Sequence, residues 1–164
     1  MLLRKFIHFV LFALMTAHAA LAQNQPMAGG RKLAACEPTH PNGLGPSPEY
    51  YRVGVLSVYT YPRGTVEFKP GGGGFVENDG SLGIKWPWWR GVAGALKISG
   101  RRLDAPAPPL RADIPDGYGD SGFLPTNLIF SQPGCWEVTG SVGQATITFV
   151  TRVVKIGAGP SERP

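Results

Sequence analysis

Gln144-Ala145-Thr146-Ile147-Thr148-Phe149-Val150-Thr151-Arg152-Val153-Val154-Lys155-Ile156 is the stretch that decides the fold. Past residue 22 it is the only run longer than seven residues that contains neither glycine nor proline. A typical helix needs about 11 residues, so helices have almost nowhere else to form. This run is itself β-branched and alternating. Ala145, Ile147, Phe149, Thr151 and Val153 fall on one face and Thr146, Thr148, Val150, Arg152 and Val154 on the other, which is the period of a strand.

Working back from it, the same reading yields a series of short strands between turns. Cys135 to Gly140 follows the turn Gln132-Pro133-Gly134, and Thr126 to Phe130 precedes it. Gly94 to Leu103 is predicted as a strand with Leu96 and Ile98 inward. Phe75-Val76 and Leu82 to Trp86 flank Asn78-Asp79-Gly80, a hairpin turn signal. Tyr51 to Thr60 is predicted to pair with Thr65 to Lys69 across Tyr61-Pro62-Arg63-Gly64. Asp104 to Pro125 is too rich in proline, glycine and aspartate for regular structure and is predicted to be a long loop. Short strands separated by turn signals define an all-β sandwich or barrel.

The chain begins with a different kind of segment. Arg4 and Lys5 precede an apolar stretch from Phe6 to about Leu14, and Ala20-Leu21-Ala22 fits the small-residue cleavage rule. Residues 1–22 therefore read as a secretory signal peptide, in the form of a helix removed after Ala22. His8, Thr16 and His18 interrupt the run that a spanning helix would need, so no transmembrane span is expected after cleavage. Leu33-Ala34-Ala35-Cys36 is the competing signal, a lipoprotein box. The polar segment from Gln23 to Lys32 separates it from the apolar region, which disfavours lipidation at Cys36. The predicted organisation is a signal peptide at 1–22, a flexible segment at 23–35, a β-sandwich at 36–156 and a disordered tail at 157–164.

Cleavage leaves 142 of the 164 residues, one ordinary domain. Two of the 16 basic residues lie in the leader and all 11 acids beyond it, so the mature charge is +3. That balance is mild and scattered, with no basic stripe of the kind nucleic acid requires. Cys36 and Cys135 are the only cysteines. An even count in an exported chain predicts a disulfide between them. The expected location is the periplasm or the exterior.

Several strings carry chemistry on paper. Gly119-Asp120-Ser121-Gly122 resembles the nucleophile motif of trypsin-like proteases, but it continues with Phe123-Leu124 where that family has Gly and Pro, and the mechanism needs a positioned histidine base. Beyond the leader the single histidine is His40, in the turn Thr39-His40-Pro41-Asn42-Gly43. Asp113, Asp116 and Asp120 are the best candidates for a structural calcium ion, though without EF-hand spacing. One histidine leaves too few ligands for zinc or copper. Gly71 to Gly74 lacks the Lys-Ser/Thr that follows a phosphate loop. Glu67, Glu77, Asp104 and Glu137 keep open a polysaccharide-acting enzyme that works through two carboxylates. No cofactor is expected.

The strongest binding signal is Lys85-Trp86-Pro87-Trp88-Trp89-Arg90. Clustered indoles suit an exposed contact surface for a glycan or an envelope protein, and the flanking cations also suit a membrane interface. Trp86, Trp88, Trp89 and Arg90 are accordingly the predicted binding residues, against the alternative that the indoles fill the core. Trp136 is predicted to pack against the disulfide. A third reading has the Asp104 to Pro125 loop presented to a protein partner, as an inhibitor or scaffold would.

The block Leu128-Ile129-Phe130…Pro133-Gly134-Cys135-Trp136-Glu137-Val138 and its following strand resembles the last strands of an immunoglobulin-like sandwich. The resemblance implies an antiparallel β-sandwich of that architecture, with one departure: Cys36 precedes every predicted strand. Gly80-Ser81-Leu82…Lys85 to Gly91 and Gly100-Arg101-Arg102-Leu103-Asp104 are similar to segments of uncharacterised exported bacterial proteins. That likeness covers about the last 90 residues and implies export and a β fold, but no activity.

Overall fold

The computed structural model describes residues 36–163. The leader at 1–22 and the segment at 23–35, including the cleavage signal, lie outside the described residues; of the lipoprotein box only Cys36 is described, and its sulfur is taken by a disulfide, which leaves none for a lipid. Ten strands follow in order: β1 (Tyr50–Val53), β2 (Leu56–Tyr59), β3 (Thr65–Phe68), β4 (Phe75–Val76), β5 (Leu82–Arg90), β6 (Lys97–Arg102), β7 (Arg111–Asp113), β8 (Gly122–Phe130), β9 (Gly134–Val142) and β10 (Ala145–Lys155). One 3-10 turn, Pro62–Gly64, joins β2 to β3. The described residues contain no α-helix.

The strands form two sheets packed as a sandwich. The larger has the order β1-β2-β5-β8-β7, with β4 also on β5; the smaller runs β3-β10-β9-β6. All pairings are antiparallel except β3 with β10. β10 confirms the deciding stretch in register: Ile147, Phe149, Thr151 and Val153 are buried, while Thr146, Thr148 and Arg152 face solvent. The hairpin at Asn78-Asp79-Gly80 is also as read, with β4 antiparallel to β5.

Three expectations fail, each for a reason in the backbone. Gly54, at φ 57°, breaks the predicted Tyr51–Thr60 strand into the β1–β2 hairpin. β3 then crosses to the other sheet and runs parallel to β10 instead of returning on β2. The Asp104 to Pro125 loop is shorter than read, since β7 and the start of β8 lie within it. Pro125 is tolerated because the register sets it directly opposite Pro87 of β5. Neither residue has an N–H, and at a non-hydrogen-bonded pair neither is asked for one. The β5–β8 ladder therefore continues through both prolines to Arg90 and Gly122.

The core is aromatic. Trp86 lies 5.4 Å from Phe149 of the facing sheet and 5.9 Å from Phe130, and Phe130 lies 5.5 Å from Trp136 (ring centroids). Trp88 also meets Phe149, and its six-membered ring sits over Gly140, where a Cβ would fall 2.5 Å from the indole. Gly140 thus supplies the hollow that the indole fills.

Cys36 and Cys135 form the predicted disulfide, with Cα atoms 5.5 Å apart. It lies on the outer face of the smaller sheet. Successive strand residues point to opposite faces, so Trp136 turns inward to Phe130 while Cys135 turns outward to the strap of residues 36–39. Trp136 therefore does not pack against the disulfide as expected. The strap is held along β10 by Thr39, which donates from its N–H to Val150 and accepts the Val150 N–H on its hydroxyl. The tail differs from the expected disorder as well. Val76 of β4 donates its N–H to the Ser161 carbonyl and accepts the Arg163 N–H, and Arg163 sits over Phe75 and pairs with Glu77 and Asp113. No helix among the described residues is long and apolar enough to cross a membrane.

Candidate functional site

The tryptophan cluster is not a single surface. β5 alternates through it, so Trp86 and Trp88 are each 1% exposed, Arg90 is 4% exposed, and Trp89 alone reaches solvent, at 42%. Trp86 and Trp88 are core residues whose indole N–H groups donate to the Tyr59 carbonyl and the Thr126 hydroxyl. The four-residue binding surface read from the sequence is corrected accordingly: three of its members face inward. The physical reason is Pro87, which does not end the strand, so the period of two carries on beyond Trp86.

The structure builds a different surface around the exposed indole. Trp89 pairs in register with Phe123 of β8 on the outer face of the larger sheet, and Phe123 is 45% exposed. Tyr118, 44% exposed, closes on it edge to face, with ring centroids 6.4 Å apart. On the other side Trp89 faces Ser57 of β2. The exposed Val55 and Val92 lie at the same end, where the Gly91 N–H bonds the Val55 carbonyl. Aromatic rings thus stand beside aliphatic side chains at one end of one sheet.

Arg90 positions the loop that carries Tyr118. Its guanidinium donates to the carbonyls of Gly119 at 2.9 Å, Tyr118 at 3.1 Å, and Gly94 and Ser121 at 3.3 Å. No carboxylate among the described residues pairs with it, and its Nε is buried without a partner. Backbone oxygens therefore solvate the cation in place of water. A further bond, from the Gly94 N–H to the Asp120 carbonyl, closes the two loops on each other. Arg90 is a clamp beneath the surface and makes no part of its exposed face.

The alternative chemistries find less support. Gly119-Asp120-Ser121-Gly122 is the loop whose carbonyls turn in toward Arg90. His40 follows Thr39, which bonds the Val150 backbone of β10, and precedes Asn42, which bonds Tyr50 and Arg52 of β1; no hydrogen bond among the described residues joins it to Ser121. Asp113 lies on β7 and binds Arg163, apart from Asp116 and Asp120 in the following loop. The described residues contain no group of three side chains placed to hold a metal ion, so these aspartates are not gathered into the calcium site considered above.

The carboxylates considered for polysaccharide chemistry are each engaged by a cation: Glu67 with Lys69, Glu77 with Arg163, Asp104 with Arg102 and Glu137 with Arg101. Glu77 and Asp113 do approach a common point, but the Arg163 guanidinium occupies it. For Asp104, partial burial would push the carboxyl up, yet the Arg102 hydrogen bond and the Cys135 N–H outweigh it and hold the group below the usual range. A general acid needs the opposite shift.

Phe123 and Tyr118 are the residues that sequence reasoning missed. The signal for Phe123 would have been its register partner, which no local pattern displays. The inward place of Arg90 was legible in principle, because it shares parity with Trp86 and Trp88. The chain matches no protein-family model, and comparison with characterised proteins finds no match.

Proposed function

We propose that this chain is an exported, non-catalytic binding module that docks a protein of the cell envelope through Trp89, Phe123 and Tyr118. The observation that carries the reading is the exposure of three aromatic rings, two of them cross-strand partners, on a face that the core does not need. Contiguous exposed apolar surface marks interaction sites, and tryptophan and tyrosine dominate the energetics of such sites. The aliphatic neighbours Val55 and Val92 favour a protein over a glycan, because sugar platforms need polar groups beside the rings to bind hydroxyls. Loop presentation, the third reading above, merges with this one, since Tyr118 belongs to that loop.

The Cys36–Cys135 bond supports an oxidising compartment, in agreement with the leader read at residues 1–22. The immunoglobulin-like assignment belongs to the same proposal. It is supported by the antiparallel β9–β10 pair that closes the chain, and it carries no recognition function with it.

A photoreactive phenylalanine analogue at position 89, in cells expressing the full chain, tests the reading. A discrete cross-linked species is expected from position 89 and none from Lys97 on the other sheet. Phe123→Ser should remove that species and leave the fold intact. Equal cross-linking from both positions, or none from position 89, refutes it.

A further inference from the structure

A cavity of about 890 Å³ shares no residue with the aromatic surface. It opens between β3, the edge strand of the smaller sheet, and the Ile84–Lys85 stretch of β5 in the larger one. The Gly73–Gly74 loop lies along one wall. Lys85 can stand there because β5 is bordered by β4 only at Leu82–Gly83 and by β2 only from Trp88 onward. A gap in the sheet thus becomes a groove, of a volume within the range of small-ligand sites.

The charge of this groove is one-sided. Arg63, Lys69, Lys85 and Arg152 line it against a single carboxylate, Glu67. Lys69 stands 3.5 Å from Glu67 and balances it. Arg63, Lys85 and Arg152 have no carboxylate partner among the described residues, and all three are exposed. The N–H groups of Gly73 and Gly74 bond to nothing among the described residues. Unpaired cations and free amides together favour an anion. Arg63 adds a separate sign: at φ 55° it is the one described residue other than glycine in the left-handed region. Such strain concentrates at ligand sites, and a glycine there would be relaxed.

An extended peptide added to β3 is the obvious alternative, and the edge is blunted against it. The Thr65 N–H is taken by the Pro62 carbonyl, and the Lys69 carbonyl by the Gly72 N–H. Phe68 directs its carbonyl to β10, so by alternation only Glu67 offers both groups outward. One residue is too short a ladder for strand addition. The Tyr61 ring and Pro62, by contrast, supply apolar surface of the kind that sugar faces use.

We propose that this groove binds an acidic oligosaccharide, whose carboxylate or phosphate groups are held by Arg63, Lys85 and Arg152. The proposal is independent of the aromatic surface. Two probes distinguish the source of the anion: tetragalacturonate, and a mannose tetrasaccharide bearing phosphate. Titration at low salt, followed by amide chemical shifts and calorimetry, should move the Gly73, Gly74 and Lys85 signals with at least one probe. Lys85→Gln with Arg152→Gln should weaken that binding roughly tenfold or more, as expected for loss of charge-assisted hydrogen bonds. Arg63→Gly should weaken it too, while raising the melting temperature by a few degrees as the backbone relaxes. Trp89→Ala should leave the affinity unchanged. Binding of neither probe overturns the proposal, as does equal binding of neutral maltotetraose, unaltered affinity in the charge variants, or tighter binding of penta-aspartate.

Discussion

Arg90→Met asks whether a cation solvated by carbonyls holds the Tyr118 loop. Methionine keeps most of the aliphatic stem, so the change falls on the guanidinium. The two shorter bonds, to Gly119 at 2.9 Å and Tyr118 at 3.1 Å, contribute about 2 kcal/mol each as charge-assisted bonds. The two at 3.3 Å add little. Against a loss of about 4 kcal/mol stands the removal of a buried Nε with no partner, which returns about 2 kcal/mol. The expected net destabilisation is about 2 kcal/mol, or a fall of about 8 °C in melting temperature for a domain of this size. Urea unfolding reads the global effect and amide exchange reads the local one. The Gly94 N–H, which bonds Asp120 across the two loops, should lose protection well before Ile147 and Phe149 in β10. An unchanged urea midpoint with Gly94 still protected would refute the clamp.

Three further outcomes follow from the packing and the titrations. The Cys36→Ala, Cys135→Ala double variant should lose up to about 4.7 kcal/mol, the chain-entropy value for a loop of this length; the cysteines are 99 positions apart, and coincident guanidinium midpoints would contradict it. Gly140→Ala should cost about 1–3 kcal/mol by overpacking, because its Cβ meets Trp88 at 2.5 Å. Trp88→Phe should recover part of that loss in a double-mutant cycle, and additive losses would refute the contact. Burial, with a smaller contribution from neighbouring Tyr59, pushes the Tyr61 hydroxyl above its ordinary value of 10.0. A raised folded value means that its stabilisation is complete below about pH 10 and is lost as pH rises further. Absorbance titration should therefore show Tyr61 ionising only as the protein unfolds in alkali, and Tyr61→Phe should flatten that limb; ionisation of Tyr61 in the folded state would refute it.

Much of the architecture was written locally. Gly and Pro spacing excluded helices, and the alternation of Ala145 to Val153 placed β10 with its buried face correct, because strand period is a property of the backbone itself. The cysteine pair was legible from count alone. Register was not, because pairing depends on which distant strand covers which edge. Nothing in Thr65 to Phe68 says that it runs parallel to β10, and nothing near Pro87 says that another proline stands opposite.

That single pairing decided the candidate site. The sequence by itself determined that the chain beyond residue 35 is a stack of strands stapled by one disulfide, with indoles concentrated between Trp86 and Trp89. Only the tertiary structure decided which indoles are core. Pro87 facing Pro125 lets β5 run on, sends Trp88 and Arg90 inward and leaves Trp89 outside with Phe123. Side-chain direction follows from the backbone's alternation, whereas the strand's continuation rests on a hydrogen-bond ladder made with residues about forty positions away.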